Sequence, residues 1–211
     1  MKQAVIFLFV VSLFSCGRTT EIKTKVLNYL GSVSINGKAV DSTGTAVKYG
    51  DAIETGADSF CELIINEKNI LRLSSNTKLV FHISDKDNVL ELQQGWLSGV
   101  THKMFAKEGS YLIKTPTVTA SVRGTCYCIK VEDPDSTYFC TCNGSIQLDK
   151  STGTDGELVT SSHHAARRFK KDSKGVINVT TAGLEYHDDK GVEALAKKVG
   201  ETIDWSKPDT I

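Results

Sequence analysis

Between residues 29 and 149 the chain is a succession of short runs in which apolar and polar residues alternate. Turn residues punctuate these runs at spacings of roughly 8–12 positions, the pattern of half-buried strands in an all-β domain. Residues 31–35 lead into Asn36-Gly37, a strong hairpin turn. Residues 61–65 and 70–73 flank the polar quartet Asn66-Glu67-Lys68-Asn69, and runs at 79–83, 89–92, 96–100 and 111–114 continue the series. No stretch of 3.6-residue periodicity interrupts it. Glycines recur beside the runs, at Gly50, Gly95 and Gly144, as they do in stacked strand–turn units. The expected fold is therefore all-β, with short stacked strands in a solenoid- or sandwich-like domain over residues 29–150.

Past Lys150 the pattern changes. A loop occupies residues 151–156, and residues 158–160 and 176–179 have strand character. Asp188 or Asp189 can cap a helix, because Val192, Leu195, Ala196 and Val199 follow at helical spacing and Gly200 ends it. A single short amphipathic helix over residues 189–199 is expected to lie as a lid on the β domain. The extension 151–211 is thus read as strands and one helix packed on that domain.

Basic and acidic side chains number 25 each among the 211 residues. A chain without net charge has no global field for a polyanion, which argues against nucleic acid as a partner. The local basic run from His163 to Lys171 is read as a solvated strand. No nucleophile elbow, phosphate loop or metalloprotease helix is present, so nothing points to an enzyme.

Residues 4–14 are apolar apart from Ser12, after one lysine at position 2. Eleven residues rise only about 16 Å as a helix, too short for a hydrocarbon core of about 30 Å. Residues 1–15 therefore read as a signal peptide. Ser15-Cys16 at its end resembles a bacterial lipobox, although Phe14 stands where a small or aliphatic residue is usual. The resemblance implies cleavage before Cys16, acylation of that cysteine and a tether over 16–28. The expected location is the bacterial cell envelope, lipid-anchored and facing periplasm or exterior, where disulfides are permitted.

The order Gly31-x-Val33, Gly50-Asp51-x-Ile53-x-Thr55-Gly56, Cys61-x-Leu63, Leu71-x-Leu73, Leu90-x-Leu92-x-x-Gly95-x-Leu97, and Thr115-Pro116 through Val122-Arg123-Gly124-Thr125 resembles the FecR domain family. The resemblance covers about residues 29–149. It implies an elongated all-β domain on the envelope side of a membrane. In the best-known members that domain relays an iron-transport signal to a sigma factor through a membrane helix and a cytoplasmic head. Neither is read in this chain, so the β module is what carries over, as a module for an envelope protein partner or a small ligand.

Cys126-Tyr127-Cys128 and Cys140-Thr141-Cys142 bracket the turn Asp133-Pro134-Asp135. A hairpin centred on Pro134 places Cys126 opposite Cys142 and Cys128 opposite Cys140. Side chains two apart share a face, so the four thiols form a rectangle of about 5 Å by about 7 Å on one side of the sheet. Tyr127, Ile129, Val131 and Phe139 take the other, core-facing side.

Three readings stay open for the cluster. Cross-strand disulfides Cys126–Cys142 and Cys128–Cys140 suit the compartment but are strained and labile, which also admits a thiol/disulfide redox module. A transition metal such as zinc or iron is the second reading. Its donors are Cys126, Cys128, Cys140 and Cys142, joined by His163, His164 and His187 if the extension folds over the cysteine face. The third is plain buried thiols. The disulfides of the first reading would equally staple the hairpin of a purely structural envelope protein. His82 and His102 read as surface residues, and Cys61, in phase with Leu63 and Ile65, as a core thiol.

Overall fold

A computed structural model describes residues 22–84, 88–102, 110–153 and 155–208. The signal segment 1–15 and the lipidation residue Cys16 lie outside the described residues. The elements run β1 (Thr24–Leu30), β2 (Val33–Ile35), β3 (Lys38–Ala39), β4 (Ala46–Val47), β5 (Asp51–Thr55), β6 (Phe60–Ile65), β7 (Asn69–Leu73) and β8 (Lys78–Ile83). They continue with β9 (Asn88–Thr101), β10 (Tyr111–Lys114), β11 (Val118–Val122), β12 (Thr125–Asp133), β13 (Ser136–Lys150), β14 (Gly156–Ser161), β15 (Ala165–Lys171), β16 (Ile177–Ala182) and α1 (Asp189–Lys197).

Two sheets result. The front sheet has the order β4-β1-β6-β7-β9-β12-β13-β15-β16. The back sheet has the order β3-β2-β5-β8-β9-β10-β11-β13-β14. Pairing is antiparallel except between β9 and β10.

Both sheets contain β9 and β13, because each of these long strands turns a corner. Residues 88–94 of β9 pair with β8 in the back sheet, and residues 95–101 pair with β12 in the front sheet. Residues 136–143 of β13 belong to the front sheet, and residues 144–150 to the back. The corners are Gly95 (φ 90) and Gly144 (φ 124), backbone conformations that L side chains rarely adopt. A Cβ at Gly95 would collide with Thr77, and one at Gly144 with Thr125. The sequence separates 89–92 from 96–100, where the structure has one bent strand.

Alternation along the strands divides the side chains between two cores. Between the sheets lie Leu63, Leu71, Leu97, Tyr127, Ile129 and Phe139 from the front, against Ile53, Leu79, Leu90, Ile113, Ile146 and Leu148 from the back. Cys61 is fully buried in this core, as its phase implies, and burial pushes its thiol up to about 12. On the outer face of the front sheet a second core gathers Ile70, Val100, Tyr138 and the cysteines 126, 128, 140 and 142. Val192, Leu195 and Ala196 of α1, with Ile203 and Trp205 beyond it, cover that face.

The lid helix is close to its expected limits. Asp188 accepts the Gly191 N–H at 2.8 Å as N-cap, and the Glu201 N–H to Ala196 C=O bond closes the other end in the Schellman manner. The basic run is strand β15, with Ala166 and Phe169 buried, three of its four charges paired and Lys170 exposed. Arg167 meets Glu157, Arg168 meets Glu132 and Glu185, and Lys171 meets Asp135. One expectation needs correcting. The segment 16–28 is not tether throughout, since β1 starts at Thr24 and buries Val26 between β4 and β6. Two apolar positions, Val26 and Leu27, were too short a signal to outweigh the polar residues before them.

Candidate metal centre

The β12–β13 hairpin turns at Pro134-Asp135, where the Asp133 carboxylate accepts the Asp135 N–H at 2.7 Å. Cys128 faces Cys140, Ile129 faces Phe139 and Tyr127 faces Thr141, as a turn centred on Pro134 requires. Beyond Tyr127 the register shifts by one, and Cys126 faces Asn143. The expected opposition of Cys126 and Cys142 is therefore corrected. Cys142 is the extra residue of a β-bulge, beside the Gly144 corner, and a bulge re-aims its side chain. Its sulfur lies 3.9 Å from that of Cys140 on the same strand.

The extension brings two histidines over this pair. His164 precedes β15, and its N–H donates to the Cys142 carbonyl at 2.9 Å. His187 directly precedes the N-cap of α1. His187 Nε2 is 3.2 Å from Cys142 Sγ, His164 Nδ1 is 3.7 Å from Cys140 Sγ, and the two nitrogens are 3.3 Å apart. The ligand atoms of Cys140, Cys142, His164 and His187 all lie within 4.8 Å of one another.

The outward nitrogens are already committed. His164 Nε2 meets the Asp189 carboxylate at 2.7 Å, and His187 Nδ1 meets the Glu185 carbonyl at 2.8 Å. A carboxylate and a carbonyl accept from the outward N–H groups, so that in the neutral imidazoles the lone pairs would fall on the inward nitrogens, as metal-ligating histidines require. His164 (φ 55) and Tyr186 (φ 64), which precedes His187, occupy the left-handed region. Bulky residues held there mark segments that their surroundings over-determine.

Charge is concentrated at the centre. Cys142 and the two histidines lower the Cys140 thiol, while burial and the neighbouring Cys140 sulfur raise that of Cys142. Burial works against a charged His187, but the Cys128 and Cys140 sulfurs outweigh it and raise the imidazole to about 10. Burial likewise opposes, and Cys140 and Asp189 overcome, the charging of His164. The Cys140 sulfur thus draws positive charge to the centre, and a metal ion bound there would take the place of the inward imidazole protons.

The other expected donors are elsewhere. His163 shares the Asp189 carboxylate with His164, at 3.1 Å, and is half exposed. Cys128 accepts the Trp96 indole N–H at 2.9 Å and borders the cluster. Cys126 is buried against Val100 and α1's surroundings, outside the four-residue group. All five described cysteines are free thiols. His82 packs edge-on against Tyr49, and His102, read as a surface residue, is half-buried against Glu201 at 2.7 Å.

The sequence did not reveal a cavity of about 810 Å³ that adjoins His187 between α1 and the front sheet. Its floor holds Glu62, fully buried and bonded by Arg72 and Lys198 at 2.6 Å. Glu62 and Arg72 are cross-strand partners about a turn at 66–68, whereas the polar quartet 66–69 read as the turn would have set Glu62 opposite Leu73.

Residues 51–147 match the family model described as FecR protein. No curated protein matches the chain. Two crystal structures of a proposed anti-sigma factor from Parabacteroides distasonis ATCC 8503 are similar, with TM-scores of 0.48 and 0.49 at 13% and 12% identity. In both, 62% of this chain aligns with 59% of the other, so it spans less than two thirds of that protein's length. The chain is thus a FecR-domain protein, with that domain over residues 51–147.

Proposed function

We propose that the protein is a lipid-anchored binding module of the cell envelope whose C-terminal extension is clamped to the FecR domain by a zinc-type metal ion. The carrying observation is the spacing of four donor atoms. A tetrahedral ion with bonds of about 2.3 Å to sulfur and about 2.05 Å to nitrogen has edges of roughly 3.8 Å (S–S), roughly 3.3 Å (N–N) and roughly 3.6 Å (S–N). Four of the six corresponding separations are 3.9 Å, 3.3 Å, and 3.2 and 3.7 Å, and the two remaining S–N separations are within 4.8 Å.

Two thiolates and two neutral imidazoles around a divalent ion sum to zero, the arrangement that costs least under burial. Four protein ligands leave no open position, which favours a structural role over catalysis. Cys140 and Cys142 belong to the FecR domain, while His164 and His187 belong to the extension, so the ion would join the two. Acylated Cys16 would hold this assembly at a membrane, and an envelope protein would be its partner. Among the described residues no helix is long and apolar enough to cross a membrane.

The test is metal analysis of untagged protein. One equivalent of metal is expected. Single replacements Cys140→Ser, Cys142→Ser, His164→Ala and His187→Ala should each lose most of it, while Cys126→Ser and His163→Ala retain it. Metal-free native protein whose Cys128 and Cys140 prove to be disulfide-bonded would overturn the proposal in favour of a stapled hairpin.

A further inference from the structure

The cavity under α1 goes beyond the metal centre, and one of its walls carries an unused recognition group. Arg72 lines it and donates from Nη1 to Glu62 at 2.6 Å. Its Nε and Nη2, the side-on fork of the guanidinium, bond no described residue. The two arginines of β15 show what that fork does elsewhere in this molecule. Arg167 presents Nε and Nη2 to the two oxygens of Glu157, and Arg168 presents the same edge to Glu132. Two parallel N–H donors match a carboxylate in geometry and charge.

The Arg72 fork is held in place. Its guanidinium stacks 3.9 Å over the Phe60 ring, and Glu62, itself fixed by both ends to Lys198 Nζ, anchors the far side. Two cations share one buried carboxylate on the floor, so the local excess of positive charge lies at Arg72 and Lys198, while Asp58 and Asp188 stand elsewhere on the lining. Trp96, Tyr186, Val192 and Leu195 supply apolar and aromatic walls. Asp58 and Asp188 also border the cavity, so a dianion such as a phosphate monoester meets more repulsion than a monoanion.

We infer that the cavity between α1 and the front sheet is a binding site for a small monocarboxylate with a flat apolar body, whose carboxylate docks on the Nε–Nη2 fork of Arg72. Sites of this kind are largely apolar, with a few placed polar groups that fix orientation. The ring would lie against Trp96 and Tyr186, with the carboxylate towards Phe60.

The experiment uses protein as purified, with naphthalene-2-carboxylate as probe and two analogues for comparison, naphthalene-2-carboxamide and 2-naphthyl phosphate. Calorimetry should show the carboxylate binding at least tenfold more tightly than either analogue. Arg72→Gln should remove that preference while leaving the β-type circular dichroism spectrum and the metal content unchanged. Lys174→Gln, far from the cavity on an exposed turn, should leave it intact. Equal binding of carboxylate and carboxamide, tighter binding of the phosphate, or no binding of any probe at millimolar concentration would each overturn the assignment. Metal content and probe affinity are read separately, so loss of one reading leaves the other standing.

Discussion

Cys142 owes its place in the cluster to a single extra residue. In a regular ladder it would stand opposite Cys126, yet the bulge brings its sulfur within reach of Cys140 and His187. The turn chemistry of Asp133-Pro134-Asp135 was enough to place Cys128 against Cys140 and to put all four cysteines on one face. It carried no information about the bulge, which lies beside the Gly144 corner ten residues away from the turn. Which histidines arrive was likewise only half legible, since adjacent His163 and His164 differ in sequence by nothing but position. The ion-pair network around Glu132 offers an independent check on the docking of the extension. Burial opposes ionisation there, but Arg168, Ser136 and Tyr186 outweigh it and lower the carboxyl from 4.5 to about 2. A depressed folded-state value gives stability that is complete above 4.5 and is lost as pH falls through about 2. Glu132→Gln should therefore lower stability at neutral pH and flatten the acid limb between those values. Chemical denaturation at several pH values reads this, and an acid limb as steep as wild type would rule the network out as a contributor.

At the scale of elements, the alternation between residues 29 and 149 specified strands well because each has one face on the inter-sheet core. Corners were invisible to the same pattern: a strand that changes sheets keeps its period of two, and only its glycine records the bend. Gly144→Ala would place a Cβ against Thr125 at a φ of 124 and is expected to cost about 1–3 kcal/mol, read from denaturation midpoints. It should also lower metal affinity, because the bulge beside the corner positions Cys142; unchanged affinity would uncouple the two. The helix was legible from its cap and spacing, and its cap is testable. Asp188→Ala removes the bond to the Gly191 N–H and should cost about 1 kcal/mol. Hydrogen exchange would show that loss concentrated in residues 188–200, whereas uniform loss over the sheets would contradict a lid that opens locally.

The whole molecule has three layers, a back sheet, a front sheet and a helical lid, and the proposed ion would fasten the lid through ligands drawn from both parts of the chain. A ligand that binds only the folded form stabilises it by about 4 kcal/mol when its free concentration is a thousand times its dissociation constant. Chelation should thus release the lid before the sandwich unfolds. Attachment to a membrane is a separate matter at this scale. Cys16→Ala should move the protein from the membrane to the soluble fraction, and unchanged partitioning would remove the anchor from the account. X-ray absorption at the zinc edge of untagged protein tests the proposed ion most directly. A first shell of two sulfurs at about 2.3 Å and two nitrogens at about 2.0 Å is the result expected for Cys140, Cys142, His164 and His187. A shell of four sulfurs, a shell dominated by oxygen, or an absence of bound metal would contradict it.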